Sequence, residues 1–420
     1  MFAEKGAVAN RYRKLLSRSL LSLWILAPAM SASAQGLSLD EALRQAEANS
    51  PTLSAANRQI GIAQGGRQQA GLIPNPELSW SMEDTRSQSS ITSVQIAQPI
   101  ELGGKRGARI DLAEKGQSAA NVELERSKNE LRANVIQAFY DSLLADMRVQ
   151  LTQQSLQLAK RGADGARARV EAGKVSPVEL TRAQVQLSEV DVELRRAQRD
   201  KANALARLQA TLGQEGTPLS LEGDPTRLPK PPAVNGLWSR LDDTAVMRIA
   251  RLSVDEQEAS LALEKTQRIP DLTVSVGSQY DKGLRQRVNL VGLSMPIPLF
   301  NRNQGNILSA SYRADQARDL RNATELNLRS DVQQAMDQWL VAMDEIEMFN
   351  STILPSAKSA VDSATRGFEM GKFAFLDVLD AQRTLITARS NYVNALASAT
   401  ASWVLVERVY GDITALAASR

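Results

Sequence analysis

The sequence contains no cysteine and no histidine, and aromatic residues make up only 4% of it. The lack of histidine rules out a Ser-His-Asp site, a His-ligated metal centre and an imidazole base. Without cysteine the fold needs no disulfide, and the remaining transition-metal ligands are carboxylates, which bind soft ions weakly. We find no nucleophile–base motif and no glycine-rich phosphate loop, so we expect no catalytic residue, no metal site and no cofactor.

The chain also lacks an excess of one charge and, beyond its first residues, a long apolar run. Lys and Arg number 50 and Asp and Glu number 47, which leaves a formal net charge of +3 at pH 7. Both signs are spread along the chain, so nucleic-acid binding has no support. The least polar long stretch, 391–406, is mostly Ala, Ser, Thr and Asn, so we predict no membrane-spanning helix in the mature chain.

The first residues have the pattern of an export signal. A basic region is followed by an apolar run at 20–30 and by a small-x-small cleavage site at 32–34. The apolar run is too short to span a bilayer. We therefore predict a signal peptide at 1–34 and a mature chain that begins at Gln35; the alternative is an N-terminal core helix.

The rest of the chain is an internal repeat of two similar units, with a period of about 200 residues. The first repeat is assigned to 35–213 and the second to 237–412, with a Pro- and Gly-rich linker at 214–236 and a tail at 413–420. Each repeat is predicted to contain a helix of about 30 residues, a β-hairpin, a very long helix, a Gly-Lys turn and a shorter helix. The first helix is predicted to open at Leu39 in one repeat and at Leu241 in the other.

The predicted hairpins lie at about 76–100 and about 270–298. In the first hairpin Leu78, Trp80 and Met82 alternate with polar residues, which is typical of a strand with one apolar and one polar face. Four such strands cannot close a barrel, because bacterial outer-membrane barrels need at least eight. Either the strands cover a soluble core or several chains share one barrel, with eight strands in a dimer and twelve in a trimer.

The helix lengths predict a long stalk. The long helices are placed at about 105–171 and 303–370, and the shorter ones at 177–212 and 376–409. At 1.5 Å per residue a helix of this length reaches about 100 Å. Two apolar flanks on the first long helix suit neighbours on both sides, as in a helical barrel. The alternative is a long antiparallel coiled coil without a channel.

A family resemblance rests on two matching segments, one in each repeat: GKFAFLDVLDAQ at 371–382 and GKVSPVELTRAQ at 173–184. With the doubled hairpin and helix-turn-helix, they resemble the TolC family of outer-membrane efflux factors over nearly all of the mature length. The segment 98–106, QPIELGGKR, most resembles the cobalt-zinc-cadmium resistance branch of that family.

The resemblance implies an α+β membrane protein. Its expected form is a trimer with a twelve-stranded outer-membrane β-barrel, four strands per chain, continuous with a long periplasmic α-helical barrel. Expected partners are a periplasmic adaptor of the membrane fusion type, an inner-membrane RND transporter and outer-membrane lipid. The implied function is export of heavy-metal cations in a tripartite system. The alternatives are a duct for drugs or other small molecules and, in a different class, a periplasmic coiled-coil structural or adaptor protein.

The resemblance also implies two sets of site residues. The Gly-Lys turns would form periplasmic tips that contact the adaptor, which singles out Gly173, Lys174, Gly371 and Lys372. Their alternative role is that of ordinary helix C-caps with solvated lysines.

The second set is a periplasmic gate formed by Asp377, Asp380 and Glu179. The i,i+3 spacing of the aspartates puts them on one helix face, and a ring of such carboxylates would attract cations. The alternatives are a capping box from Ser176 to Glu179 and a helix-dipole role for Asp377. Phe373 stands where the family has an arginine, so an ionic latch at that position is not expected.

Overall fold

The computed structural model describes residues 36–86, 88–214 and 219–413. The predicted signal peptide at 1–34, the predicted mature start at Gln35 and nearly all of the predicted tail lie outside these residues. The helices are α1 (Leu39–Asn49), α2 (Pro51–Ala70), α3 (Lys105–Glu171), α4 (Pro177–Thr211), α5 (Val234–Trp238), α6 (Ala245–Thr266), α7 (Gln304–Met348), α8 (Leu354–Glu369) and α9 (Phe375–Tyr410). The strands are β1 (Glu77–Glu83), β2 (Ile91–Ile100), β3 (Leu272–Asp281) and β4 (Gln286–Ser294).

The helix predicted to open the second repeat at Leu241 begins later. Leu241–Asp243 forms a single 3₁₀ turn, and α6 starts after Thr244. The hydroxyl of Thr244 accepts the N–H of Met247, which satisfies one of the free donors of the first helical turn. The N-cap hydroxyl, rather than the acidic pair before it, therefore sets the start of α6.

The first long helix, α3, is continuous over its 67 residues and is about 100 Å long. The second, predicted as one helix over 303–370, is wrong in one respect, because a π-helical turn at Phe349–Ile353 divides it into α7 and α8. Pro355 lies in the first turn of α8. Its nitrogen has no hydrogen to donate and its ring crowds the carbonyl four residues earlier, so the hydrogen-bond ladder shifts at this point.

Helices and strands follow one lateral order. The sheet is antiparallel throughout, in the order β1-β2-β3-β4. Helix α3 packs against α2 and α4 on one side and against α6 and α9 on the other, while α7 packs on α6 and α9, and α8 packs on α9. In the described part of the chain, β1 and β4 are the edge strands, and the outer helical columns are α2 with α4 and α7 with α8.

One face of the sheet carries an exposed apolar row that crosses all four strands. Leu78 is paired with Ile96, Ile96 with Val276, and Val276 with Val291. These side chains are between 49% and 79% exposed. Because directly paired residues lie on the same face, the row forms a continuous apolar surface. The predicted apolar face of the first strand belongs to it.

The main apolar core lies among α1, α3, α7 and α9. Trp339 and Leu396 are fully buried there, and Tyr140 meets Trp403 edge to face with ring centroids 5.3 Å apart. The linker also packs on this core, where Gly223 lies against the side chain of Leu143. No helix in the described ranges combines the length and apolar character needed to cross a membrane.

A buried carboxylate ties the end of α9 to α3. Glu407 is fully buried and accepts hydrogen bonds from Arg132 Nε at 2.8 Å, Trp403 Nε1 at 3.1 Å and Ile413 N at 3.3 Å. Burial raises the pKa of the Glu407 carboxyl, against the lowering effect of Arg132. These contacts hold the C-terminal end of the second repeat against the first.

Candidate functional site: the two glycine-lysine turns

The two predicted Gly-Lys turns share one backbone geometry. Gly173 has φ +65° and Gly371 has φ +73°, both in the left-handed region. In each turn the glycine N–H bonds the carbonyl three residues earlier, and the N–H of the following lysine bonds the carbonyl five residues earlier, at 2.8 or 2.9 Å. This is the Schellman arrangement, which favours glycine because a Cβ is unfavourable at positive φ.

The two turn lysines point to solvent. Lys174 and Lys372 are both exposed, and neither forms an ion pair with a carboxylate of the described residues. Both ammonium groups can therefore meet an acidic partner. The glycines and the backbone form the helix C-caps that were the alternative to adaptor contact. The lysine side chains take no part in these caps.

The second turn carries an aromatic ring where the resembled family has an arginine. The ring of Phe373 lies directly over Gly367, so closely that a Cβ at position 367 would overlap it. Half of the Phe373 side chain remains exposed. The ring thus folds back from the turn onto the end of α8, and it cannot make the ionic contact that a guanidinium would make.

An arginine from the first repeat holds the second turn. Nη1 of Arg169, in the last turn of α3, donates to the carbonyl oxygen of Phe368 at 2.7 Å. The same guanidinium lies over the Phe368 ring, 4.4 Å from its centroid, and that ring contacts Phe375 with centroids 5.3 Å apart. A cation is stabilised both by the carbonyl end of a helix and by an aromatic face. We call Arg169, Phe368 and Phe375 the Arg169 clamp.

Small side chains allow the helices beneath the clamp to pack closely. Phe368 and Phe375 belong to a buried cluster contributed by α3, α4, α8 and α9. Alanine has little volume, so the backbones of four helices can approach the two rings closely. The alanines of this cluster are Ala163, Ala166, Ala183 and Ala364.

The two predicted gate aspartates lie together at the start of α9. Oδ2 of Asp377 accepts the backbone N–H of Ala374 at 2.9 Å, so this carboxylate caps its own helix, in the first turn where the helix-dipole alternative also favours an anion. Asp380 is exposed and lies on the same helix face as Asp377. Within the described ranges, no group of three or more acidic side chains is arranged to hold a metal ion.

The environment of Glu179 differs from the one that the capping-box alternative predicts. Ser176 Oγ accepts the N–H of Val178 at 3.3 Å, so the serine caps α4 by itself. The carboxylate half is missing, because Oε2 of Glu179 is buried and has no hydrogen-bond partner among the described residues. Helix capping therefore does not account for this carboxylate. Glu179 lies in the first turn of α4, whereas Asp377 and Asp380 lie on α9.

Sequence reasoning missed the Arg169 clamp. Arg169 and Phe368 are 199 residues apart in the chain. The only local signal was a basic residue in the last turn of a helix, which many helices share. Their contact arises because α3 and α8 both end at the same pole of the helical layer.

Comparison with known proteins agrees with this geometry. The family model described as "Outer membrane efflux protein" matches residues 42–214 and 241–412, one segment in each repeat. The cobalt-zinc-cadmium resistance protein CzcC of Cupriavidus metallidurans is 38% identical over 376 residues, which cover 89% of this chain and 90% of that protein. The outer membrane protein TolC of Escherichia coli is 24% identical over 400 residues, which cover 87% and 80%.

The solved structures give the same answer for the fold. A structure of CusC, described in terms of transmembrane channel formation, superposes with a TM-score of 0.75 at 17% identity and covers 89% of this chain and 92% of that one. This likeness confirms the predicted α+β fold. The family match confirms a transport protein rather than an enzyme, and it decides against the coiled-coil adaptor alternative. By its doubled helix–hairpin–helix repeat and its matched segments, the chain belongs to the outer membrane efflux protein family.

Proposed function

We propose that this chain is the outer-membrane duct of a tripartite efflux system and that it works as a trimer. In this arrangement β4 of one copy pairs with β1 of the next, and the twelve strands close one barrel. The observation that carries the proposal is the pair of open edges on a sheet with a continuous exposed apolar row. Lipid can contact such a row, but backbone groups at an open edge would have no partner in lipid.

Apolar side chains on the outer helical columns support the same assembly. On α4, Val178, Val185 and Val192 recur every seven residues and are between 47% and 55% exposed. A heptad spacing places them in one stripe that fits a neighbouring helix. The opposite outer column also exposes apolar side chains on α7, nearer the sheet than the valine stripe: Leu308, Tyr312, Leu320 and Leu326.

The proposed assembly assigns a place to each partner. After removal of 1–34, the repeats 35–213 and 237–412 each supply one hairpin and two helical columns. The apolar row contacts outer-membrane lipid, and the helices extend into the periplasm. The tips, with Lys174 and Lys372, contact a periplasmic adaptor, which connects the duct to an inner-membrane RND transporter. Exposed ammonium groups suit acidic side chains on that adaptor.

The proposed cargo is heavy-metal cations. The similarity to a cobalt-zinc-cadmium resistance protein supports this class of substrate. Threefold repetition would place six carboxylates, from Asp377 and Asp380, around the periplasmic mouth, where they would attract cations. Capping occupies one oxygen of Asp377 and leaves the other for the pore. The unpaired carboxylate of Glu179 is the third proposed gate group.

Assembly is tested by membrane fractionation and by native mass measurement of the detergent-extracted protein. We expect a trimer that requires detergent for extraction. A water-soluble monomer after signal cleavage would contradict the proposal.

The gate is tested by planar-bilayer recording of Asp377→Asn/Asp380→Asn. We expect reduced cation preference and altered conductance, because the carboxylates at the mouth are neutralised. The matched control is Asp242→Asn/Asp243→Asn, which removes two exposed carboxylates near the linker. Wild-type selectivity in the gate variant would remove both aspartates from the pore.

A further inference from the structure

A second polar site lies away from the tips, in a groove on α3 between α4 and α9. It holds a cavity of about 500 Å³. Three arginines reach it, Arg148 from α3 and Arg383 and Arg389 from α9. We call this site the arginine groove. It shares no lining residue with the turns or the Arg169 clamp.

The three guanidiniums make hydrogen bonds only to neutral acceptors within the described residues. Arg148 Nη2 donates to Asn394 Oδ1 at 2.9 Å, and Arg383 Nε donates to Gln186 Oε1 at 3.1 Å. A guanidinium has five N–H donors and is always protonated. Most donors of these two residues are thus left for another acceptor, and neither guanidinium is ion-paired with a carboxylate of the described residues.

Arg389 is the most constrained of the three. It is half-buried, and it donates to Ser155 Oγ and Gln154 Oε1, both at 3.2 Å. Its burial lowers the pKa of the guanidinium, since no nearby carboxylate offsets the desolvation. A partly buried cation without a counter-ion is costly, and an anion in the groove would remove that cost.

Two carboxylates lie on the α4 wall of the same groove. They are Glu189 and Glu193. Glu193 forms an ion pair with Arg196 on its own helix, with 3.8 Å between Arg196 Nη1 and Glu193 Oε2. Neither forms an ion pair with the three arginines. The α4 wall therefore weakens the positive potential of the groove without neutralising the α3 and α9 walls.

We propose that the arginine groove binds a small multivalent oxyanion of the phosphate or polycarboxylate class. Charge-assisted hydrogen bonds from arginine to such oxygens are short, and the planar guanidinium fits two oxygens at once. The cavity has room for an anion of this size. The valines of the α4 stripe do not line the groove. The proposal does not depend on the transported cargo.

The test is isothermal titration calorimetry of the full chain in detergent with inorganic phosphate and with citrate, at constant ionic strength and with chloride as the reference anion. We expect saturable binding at one site per chain. The variant Arg148→Gln/Arg383→Gln should weaken binding about a hundredfold or more, because each of the two charged hydrogen bonds lost costs about tenfold. Both side chains lie toward solvent, so the fold should persist, which circular dichroism checks.

Two further variants make the result specific to the groove. Arg167→Gln removes an exposed arginine of α3 outside the groove and should leave binding unchanged. Glu189→Gln/Glu193→Gln should strengthen binding, because two repulsive charges are removed. The proposal is wrong if phosphate and citrate bind no more tightly than chloride, or if Arg167→Gln weakens binding as much as the groove variant. Bilayer conductance does not enter this test, so its outcome is separate from that of the efflux proposal.

Discussion

Replacing Arg169 with alanine should release the second turn from the first repeat. The hydrogen bond from this guanidinium to the Phe368 carbonyl is 2.7 Å long, and hydrogen bonds to charged groups contribute about 1.5–3 kcal/mol. The contact with the Phe368 ring adds about 0.5–1 kcal/mol, since Arg169 is only half-buried. The clamp therefore stabilises the contact between the two turns by about 2–4 kcal/mol.

If opening of the proposed duct separates the turns, this energy opposes opening. At about 1.4 kcal/mol per factor of ten, Arg169→Ala should shift the closed–open equilibrium toward the open state by about 30-fold to 1000-fold per chain. The assay is the open probability of single channels in planar bilayers. Arg169→Lys should be intermediate, because an ammonium keeps the charge but loses the planar stacking.

The matched control is Arg167→Ala, two residues earlier, where the side chain is exposed and pairs with Asp164 on its own helix. It should behave like the unmodified chain, because a surface pair of this kind contributes little. An unchanged open probability in Arg169→Ala, with the fold intact by circular dichroism, would refute the clamp as a latch.

Three other perturbations follow from the structure. Because burial raises the pKa of Glu407, the folded state holds this proton more tightly than the unfolded state does. Stability should therefore fall as the pH rises from the ordinary value of 4.5 through the folded pKa, and Glu407→Gln should flatten that part of a melting-temperature profile. Gly371→Ala, at φ +73°, should lower the melting temperature by an amount equivalent to about 1 kcal/mol, whereas Gly65→Ala, in a helix with open space around it, should not. Val291→Arg places a charge in the exposed apolar row and should cost about 2–4 kcal/mol in lipid, seen as loss of the protein from the outer-membrane fraction; equal yield would contradict a lipid-facing row.

Local patterns were sufficient for much of the fold. Alternation of apolar and polar residues predicted the strands, and uninterrupted helix-forming sequence predicted α3. Glycine followed by lysine marked both turns, because positive φ is a property of single residues. Pro355 was visible in the sequence, but whether it would end, kink or shift the helix depended on its neighbours, and the π turn was missed. The capping pattern at Ser176 was found, but the sequence did not show that Oε2 of Glu179 would be buried without a partner instead of accepting the backbone N–H of Ser176.

The sequence by itself determined the repeat, the element types and the residues that turn the chain, since these depend on contacts within a few positions. Tertiary structure alone decided which distant residues meet. Arg169 contacts Phe368 across 199 residues, and Arg132 contacts Glu407 across 275. The arginine groove takes its walls from three helices. Such contacts depend on the rotation and lateral order of packed helices, and no short-range pattern along the chain encodes them.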